Sequence, residues 1–239
     1  MINLYQLTGY WGIPSPSPFC MKLETYMRMA GIPFRSINIL DALVAPANRK
    51  APKGKIPFIE YEGQTIGDSS LILEFLKKKF GNTIDSHLNS RENSEGLAIQ
   101  RLFEDHYFWV IVYSRWLDKK GWAVTRPEFF NGLPPLIRQI VPFIRKAKMR
   151  KVLHINGIAR HNEQDIYAMG IQDLDAFASL LENKPFIFGD KPSSFDAIAH
   201  GFLVNTMQVP FDLPIKRHAL QIETLVSYCK RIEELYYKT

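Results

Sequence analysis

Ser17-Pro18-Phe19-Cys20 is the stretch on which the reading of this chain turns. Before it runs an apolar, strand-like segment, Ile2-Asn3-Leu4-Tyr5-Gln6-Leu7, and then a loop broken by Gly9, Gly12, Pro14, Pro16 and Pro18. After it, Leu23, Tyr26, Met27 and Ala30 recur on a helical period, and Gly31 is the residue type that ends helices. The spacing predicts a helix over 19–30. Residues 34–40 (FRSINIL) alternate on a period of two and read as a second strand, parallel to the first because a helix joins them. Residues 41–50 read as a weak helix. Segments 57–61 and 64–66 flank Glu62-Gly63 as a hairpin. Residues 68–80 then form a helix with Leu71, Ile72, Phe75 and Leu76 inward, closed by Gly81. The order βαβαββα predicts an α/β domain over 1–81, a four-stranded mixed sheet flanked by three helices.

Residues 81–91 are polar and without period, which sets a domain boundary there. The rest, 92–239, reads as an all-helical domain with helices over 94–120, 133–150, 163–181, 195–207 and 219–237. Pro134, Pro135, Pro185, Pro192, Pro210 and Pro214 fall at the joints. Ser193 and Asp196 have the spacing of a capping box, a structural feature. In the ring-rich run Phe103, Tyr107, Phe108, Trp109, Tyr113, Trp116, the first two read as core. Tyr113 and Trp116 are candidates for lining an apolar pocket, against plain packing as the alternative.

With 239 residues, 46% of them apolar, the chain can bury one large or two modest cores. No run is long enough to span a bilayer, and no secretory signal is visible. Two cysteines at opposite ends argue against a disulfide framework and for a reducing cytoplasm. The net charge of +6 gathers at Lys77-Lys78-Lys79 and between Arg145 and Lys151, which read as solvated helix faces. Without interleaved stacking rings or a reading module, no nucleic-acid partner is expected, although an attraction for small anions is. The six histidines show no metal-ligand spacing, and His154 and His161 are too far apart to share a helix face.

Three positions carry candidate chemistry. A helix N-terminus offers free N–H groups and a positive dipole end, so Ser17 there either caps the helix or holds a thiolate ionised. Cys20, one turn in, is a second sulfur at that terminus or a small core residue. Ile56 before Pro57 presents backbone groups to an extended ligand if the bond is cis, and begins an ordinary strand if trans. Asp68 and Ser69 open a helix, as caps or as partners for a ligand ammonium and carboxylate.

Together, Ser17-x-x-Cys20, Gly54-Lys55-Ile56-Pro57 and Asp68-Ser69 resemble the thioredoxin-like domain of the glutathione S-transferase superfamily. The stretches 17–26 and 53–60 are most similar to its failed-axon-connections and metaxin-like branch. The resemblance covers the whole chain, strongly to Phe80 and more weakly beyond. It implies glutathione as co-substrate, Ser17 and Cys20 as the catalytic pair, and Ile56 bonding the cysteinyl backbone ahead of a cis Pro57. It further implies Asp68 and Ser69 at the γ-glutamyl end and Lys53 or Lys55 near the glycine carboxylate. Because serine stands where other members have a reactive cysteine, hydroxyl-assisted thiolate activation is expected, with Tyr10 and Ser15 as fallbacks. The expected partners are glutathione and a small electrophile, in a detoxifying role, with a homodimer as the family's usual assembly and no metal. A non-catalytic binding or adaptor protein on the same scaffold is the alternative.

Overall fold

The computed structural model describes residues 1–39 and 51–238. The helix expected over 41–50 lies outside them. Strands β1 (Ile2–Gln6), β2 (Phe34–Asn38), β3 (Phe58–Tyr61) and β4 (Gln64–Gly67) form one sheet in the order β2-β1-β3-β4. β1 runs parallel to β2, with Ile2 opposite Phe34, and antiparallel to β3, with Leu4 opposite Ile59. The mixed sheet is as expected. Ile2, Leu4, Phe58 and Ile59 are fully buried on the two central strands, while most of β2 is exposed. Glu62 and Gly63 take φ of 48° and 77°, the left-handed pair whose twist suits a two-residue hairpin.

Helix α1 (Pro18–Met29) begins where Ser17 caps it and Pro18, needing no N–H partner, fills the first position. α2 (Ser69–Phe80) is capped by Asp68, whose Oδ1 accepts from the Ser70 and Leu71 N–H groups. Ile72 and Leu76 point inward as expected, but Leu71 is exposed and Leu73 is buried in its place.

The helical part departs from expectation at several joints, two of them set by side-chain caps. The helix expected over 94–120 is α3 (Ser90–Arg101), a π-type turn (Leu102–Tyr107) and α4 (Phe108–Trp116). Asn89 and Glu92 start it early through a capping box. Asp118 ends it by accepting from the Gly121 N–H at the head of α5 (Lys119–Phe130). A Cβ on Gly121 would lie 1.7 Å from the Ser114 carbonyl oxygen, so only glycine fits that corner. α6 (Pro135–Asn156) runs through Pro142 and past the expected end at 150. α7 (Glu163–Leu181) and α8 (Ser194–Met207) match, and the last expected helix is two, α9 (Pro214–Gln221) and α10 (Glu223–Tyr236), broken at Ile222.

Every residue of α8 is buried, and its principal neighbour is α1. The two approach so closely that a Cβ on Gly201 would sit 2.7 Å from the Pro18 carbonyl oxygen. The capping box is present: Asp196 Oδ2 accepts from the Ser193 N–H and hydroxyl, both at 2.7 Å, and Oδ1 from Ile187 N–H and the Tyr228 hydroxyl. Asp85, in the connection read as featureless, is buried and accepts from the Ser194 N–H and hydroxyl.

Candidate functional site

A cavity of about 610 Å³ opens between the sheet domain and the helical part. One wall is the mouth of α1 with Ser17; a second is Gly54, Lys55 and Ile56; a third is the ring-bearing face of α4; and α6 closes it with Arg145, Lys148, Met149 and Val152. The structure therefore brings together Ser17, Lys55, Ile56 and Trp116 of the expected set.

Ser17 is half-buried, and its Oγ accepts from the Cys20 N–H at 3.4 Å. The cap reading is thus true, and it coexists with a place on the cavity wall. Pro18 has no N–H, and the Phe19 N–H has no partner among the described residues, so it is the donor left at this helix mouth. Arg115 adds positive charge nearby. It is buried, donates to the Pro16 carbonyl, and reaches the Asn205 carbonyl and Oδ1 at 2.8 Å. Burial pushes its pKa down to about 9, which still leaves it cationic at neutral pH. Lys55, Arg145 and Lys148 also line the cavity, and its one carboxylate among the described residues, Glu104, is held by Lys22 at 2.5 Å.

Cys20 is a correction. It is fully buried and absent from the cavity wall, and burial pushes its thiol up to about 11 against the lowering hydrogen bonds from Ser17 and Ser15. A protonated, inaccessible thiol is a packing residue. Tyr10 is also buried, and Ser15 is buried with its Oγ accepting from the Ser17 N–H, so neither fallback reaches the cavity.

The Ile56–Pro57 bond is cis, and Pro57 is buried behind the wall that Ile56 forms. Among the described residues, no backbone group pairs with the Ile56 N–H or C=O. Asp68 and Lys53 sit outside the cavity wall and pair with each other at 3.4 Å. Burial would raise the Asp68 carboxyl, yet the Leu71 and Ser70 N–H groups and Lys53 hold it below the ordinary aspartate range. Ser69 is buried, its Oγ 3.4 Å from the Lys22 ammonium.

Tyr113 is a second correction. It faces a separate groove, packs edge-on against Tyr167 at 5.9 Å, and lies beside Leu117, Arg150, His154 and His161. His154 and His161 do not share a helix face, His154 lying on α6 and His161 beyond its end, but both line this groove. The cavity-facing positions of α4 are 108, 109, 111, 112, 115 and 116, so Phe108 and Trp109 are the rings the sequence reading left unassigned. Phe103 and Tyr107 are core, as expected. Lys22 and Glu104 were missed outright; the only trace in the sequence was a lysine on the face of α1 that also bears Tyr26.

Profiles described as the glutathione S-transferase N-terminal domain and C-terminal domain match residues 18–121 and 170–232. The chain is 32% identical to an isoprene-epoxide glutathione S-transferase of a Rhodococcus strain, over 99% of both proteins. It is 31% identical to Failed axon connections of Drosophila melanogaster over 85% of this chain, spanning about half (49%) of that protein. Metaxin-3 of Xenopus laevis is 27% identical over 95% of this chain and 74% of its own length. Among solved structures, the beta-etherase LigF from a Sphingobium strain superposes with a TM-score of 0.67 at 14% identity, covering 100% of this chain and 99% of its own. That last likeness is one of fold.

Proposed function

We propose, from the premise that this chain belongs to the glutathione S-transferase family in its metaxin-like branch, that it activates the thiol of glutathione for attack on a small electrophile. The observation that carries the reading is the electrostatic setting of Ser17. A hydroxyl, a free helix-terminal N–H and the buried Arg115 converge on a cavity whose single carboxylate among the described residues is already neutralised. Such a setting lowers the free energy of a thiolate relative to its thiol.

In this mechanism the Ser17 hydroxyl donates to the sulfur while the end of the α1 dipole and Arg115 stabilise its charge. Ile56 offers its N–H and C=O to the cysteinyl backbone. Asp68 receives the γ-glutamyl ammonium while keeping its ion pair with Lys53; Ser69 faces the carboxylate; and Lys55, on the cavity wall, meets the glycine end. Phe108, Trp109 and Trp116 hold the electrophile beside the sulfur, and much of the acceleration comes from that positioning. The isoprene-epoxide relative makes a small apolar epoxide the first substrate to try.

A hydrogen bond to an ionised group contributes about 1.5–3 kcal/mol, so Ser17→Ala should slow conjugation roughly tenfold to a hundredfold with glutathione KM little changed. The pH midpoint of the rate should also move up toward about 8.5, the ordinary thiol value. Unchanged turnover and pH profile in this variant would remove Ser17 from the mechanism.

A second reading, binding without turnover, is favoured by one observation: the Ser69 and Ser17 side chains already serve Lys22 and the α1 cap. Titration calorimetry with reduced glutathione separates the two, since no heat at millimolar ligand would leave only the adaptor. We further place the protein in the cytoplasm as a homodimer with a detoxifying role. Two unpaired thiols suit that compartment, and exposed Leu71 on α2 and Leu97 on α3 offer apolar surface for a second subunit.

A further inference from the structure

Helix α6 carries a charge and an apolar surface that the proposed chemistry does not use. Residues 129–162 contain seven Lys and Arg and no Asp or Glu; with a chain total of +6, everything outside this segment carries a net −1. The basic positions alone read as a solvated face. What the structure adds is that Leu136, Ile140, Phe143 and Ile144 are 77%, 61%, 56% and 61% exposed. Their spacing of i, i+4, i+7 and i+8 makes one outward stripe on the first half of the helix. On the same outward arc the second half becomes cationic, with Arg150, Lys151 and His154 all exposed. Pro142 and Leu153, on the opposite side, are buried.

We propose that α6 docks this protein onto an anionic lipid surface, lying flat with its exposed aliphatic and phenyl side chains at the acyl boundary and its cations among the headgroups. A long cationic helix with an exposed apolar face is the arrangement that binds such interfaces, and each Lys or Arg near the surface, Arg126 over the Phe143 ring among them, adds to the attraction. A second copy of the chain is a poorer occupant, because it would bring two strongly positive segments together. Nucleic acid would use the charge and leave the isoleucines in water. No helix among the described residues is long and apolar enough to cross a membrane, so the contact is one of surface. Met149 and Val152, on the inner side of the same helix, line the large cavity, so docking sets that cavity's wall against the lipid layer.

The test is flotation of the full chain with vesicles of phosphatidylcholine alone and of phosphatidylcholine mixed with phosphatidylserine. The protein should float with the mixed vesicles, weakly or not at all with the neutral ones, and less as salt rises. The double variant Arg150→Gln/Lys151→Gln should bind the mixed vesicles about tenfold or more weakly, as should Ile140→Asn/Ile144→Asn. All four side chains are exposed, and circular dichroism checks that both variants remain folded. No flotation of the parent with mixed vesicles at low salt overturns the proposal. So does an isoleucine variant that floats as well as the parent, or sedimentation velocity showing that Ile140 and Ile144 hold two copies together.

Discussion

Lys22 is fully buried on α1, its ammonium 2.5 Å from Glu104 Oε1 and 3.0 Å from Ser70 Oγ. Burial pulls its pKa down, and the Glu104 carboxylate opposes that pull. Breaking such a pair from one side leaves an uncompensated charge in a dry interior. Lys22→Met should therefore lower unfolding stability by about 3–5 kcal/mol, and adding Glu104→Leu should recover much of the loss. Urea denaturation of the three variants measures both; a single variant as stable as the parent would mean that the pair holds nothing together. The contrast with Cys20 is instructive. Both residues lie in the first two turns of one helix, yet Lys22 finds a charged partner across the seam between the two parts of the fold and Cys20 finds only packing and neutral groups of its own domain. Helical period locates both on buried faces. It does not say that a carboxylate some eighty residues away will arrive opposite one of them.

Among the elements, α8 was the most legible helix in the second half and the most consequential in space. Its Ser-x-x-Asp spacing announced the capping box, and the structure adds two further donors to Asp196, from Ile187 and Tyr228. Asp196→Ala orphans several buried donors at once, so a loss of about 1–3 kcal/mol or more is expected in denaturant titration, with glutathione affinity of the folded fraction unchanged. Gly201, by contrast, carried no visible signal. Gly201→Ala would press a methyl against the Pro18 carbonyl and the Lys22 N–H and push the mouth of α1 away from α8. The expected cost is about 1–3 kcal/mol, with conjugation falling by more than the folded fraction does, because Ser17 shifts with the helix. Calorimetric melting and steady-state kinetics on one preparation distinguish displacement from simple unfolding. The misassigned ring, Tyr113, is an element-scale lesson too. The π-type turn at 102–107 adds a residue to the helical repeat, so one phase carried through it misreads which rings face the cavity.

Across the molecule, the seam between the two parts ends at His200. Its Nδ1 lies 3.0 Å from Thr25 Oγ1 on α1, its Nε2 3.9 Å from Glu233 on α10, and it is fully buried. Burial lowers its pKa, with Glu233 opposing. The folded protein therefore keeps His200 neutral where the unfolded chain takes up a proton. Stability is retained above about pH 6.5 and falls as the pH drops below it toward the lower folded-state value. The melting temperature should decline from pH 7 to pH 5, and His200→Gln should flatten that decline whatever its effect at pH 7. An identical slope in the variant would assign the effect to another group. The sequence by itself determined what local chemistry determines: the βαβ and hairpin order, the caps at Ser17, Asp68 and Ser193, the glycine-marked ends, and the motif spacing that pointed to the family. The caps, turns and helix ends depend on residues within a few positions of one another, where spacing and backbone preference suffice, and the family likeness depends on the order of such local motifs along the chain. Only the tertiary structure decided that Cys20 is dry and protonated, that Tyr113 faces away while Phe108 and Trp109 face in, that Lys22 and Arg115 are buried cations beneath the site, and that the outer face of α6 is left uncovered. Those depend on which surfaces the folded chain presses together, and burial and long-range pairing set the charge and accessibility of a side chain more strongly than its neighbours in sequence do.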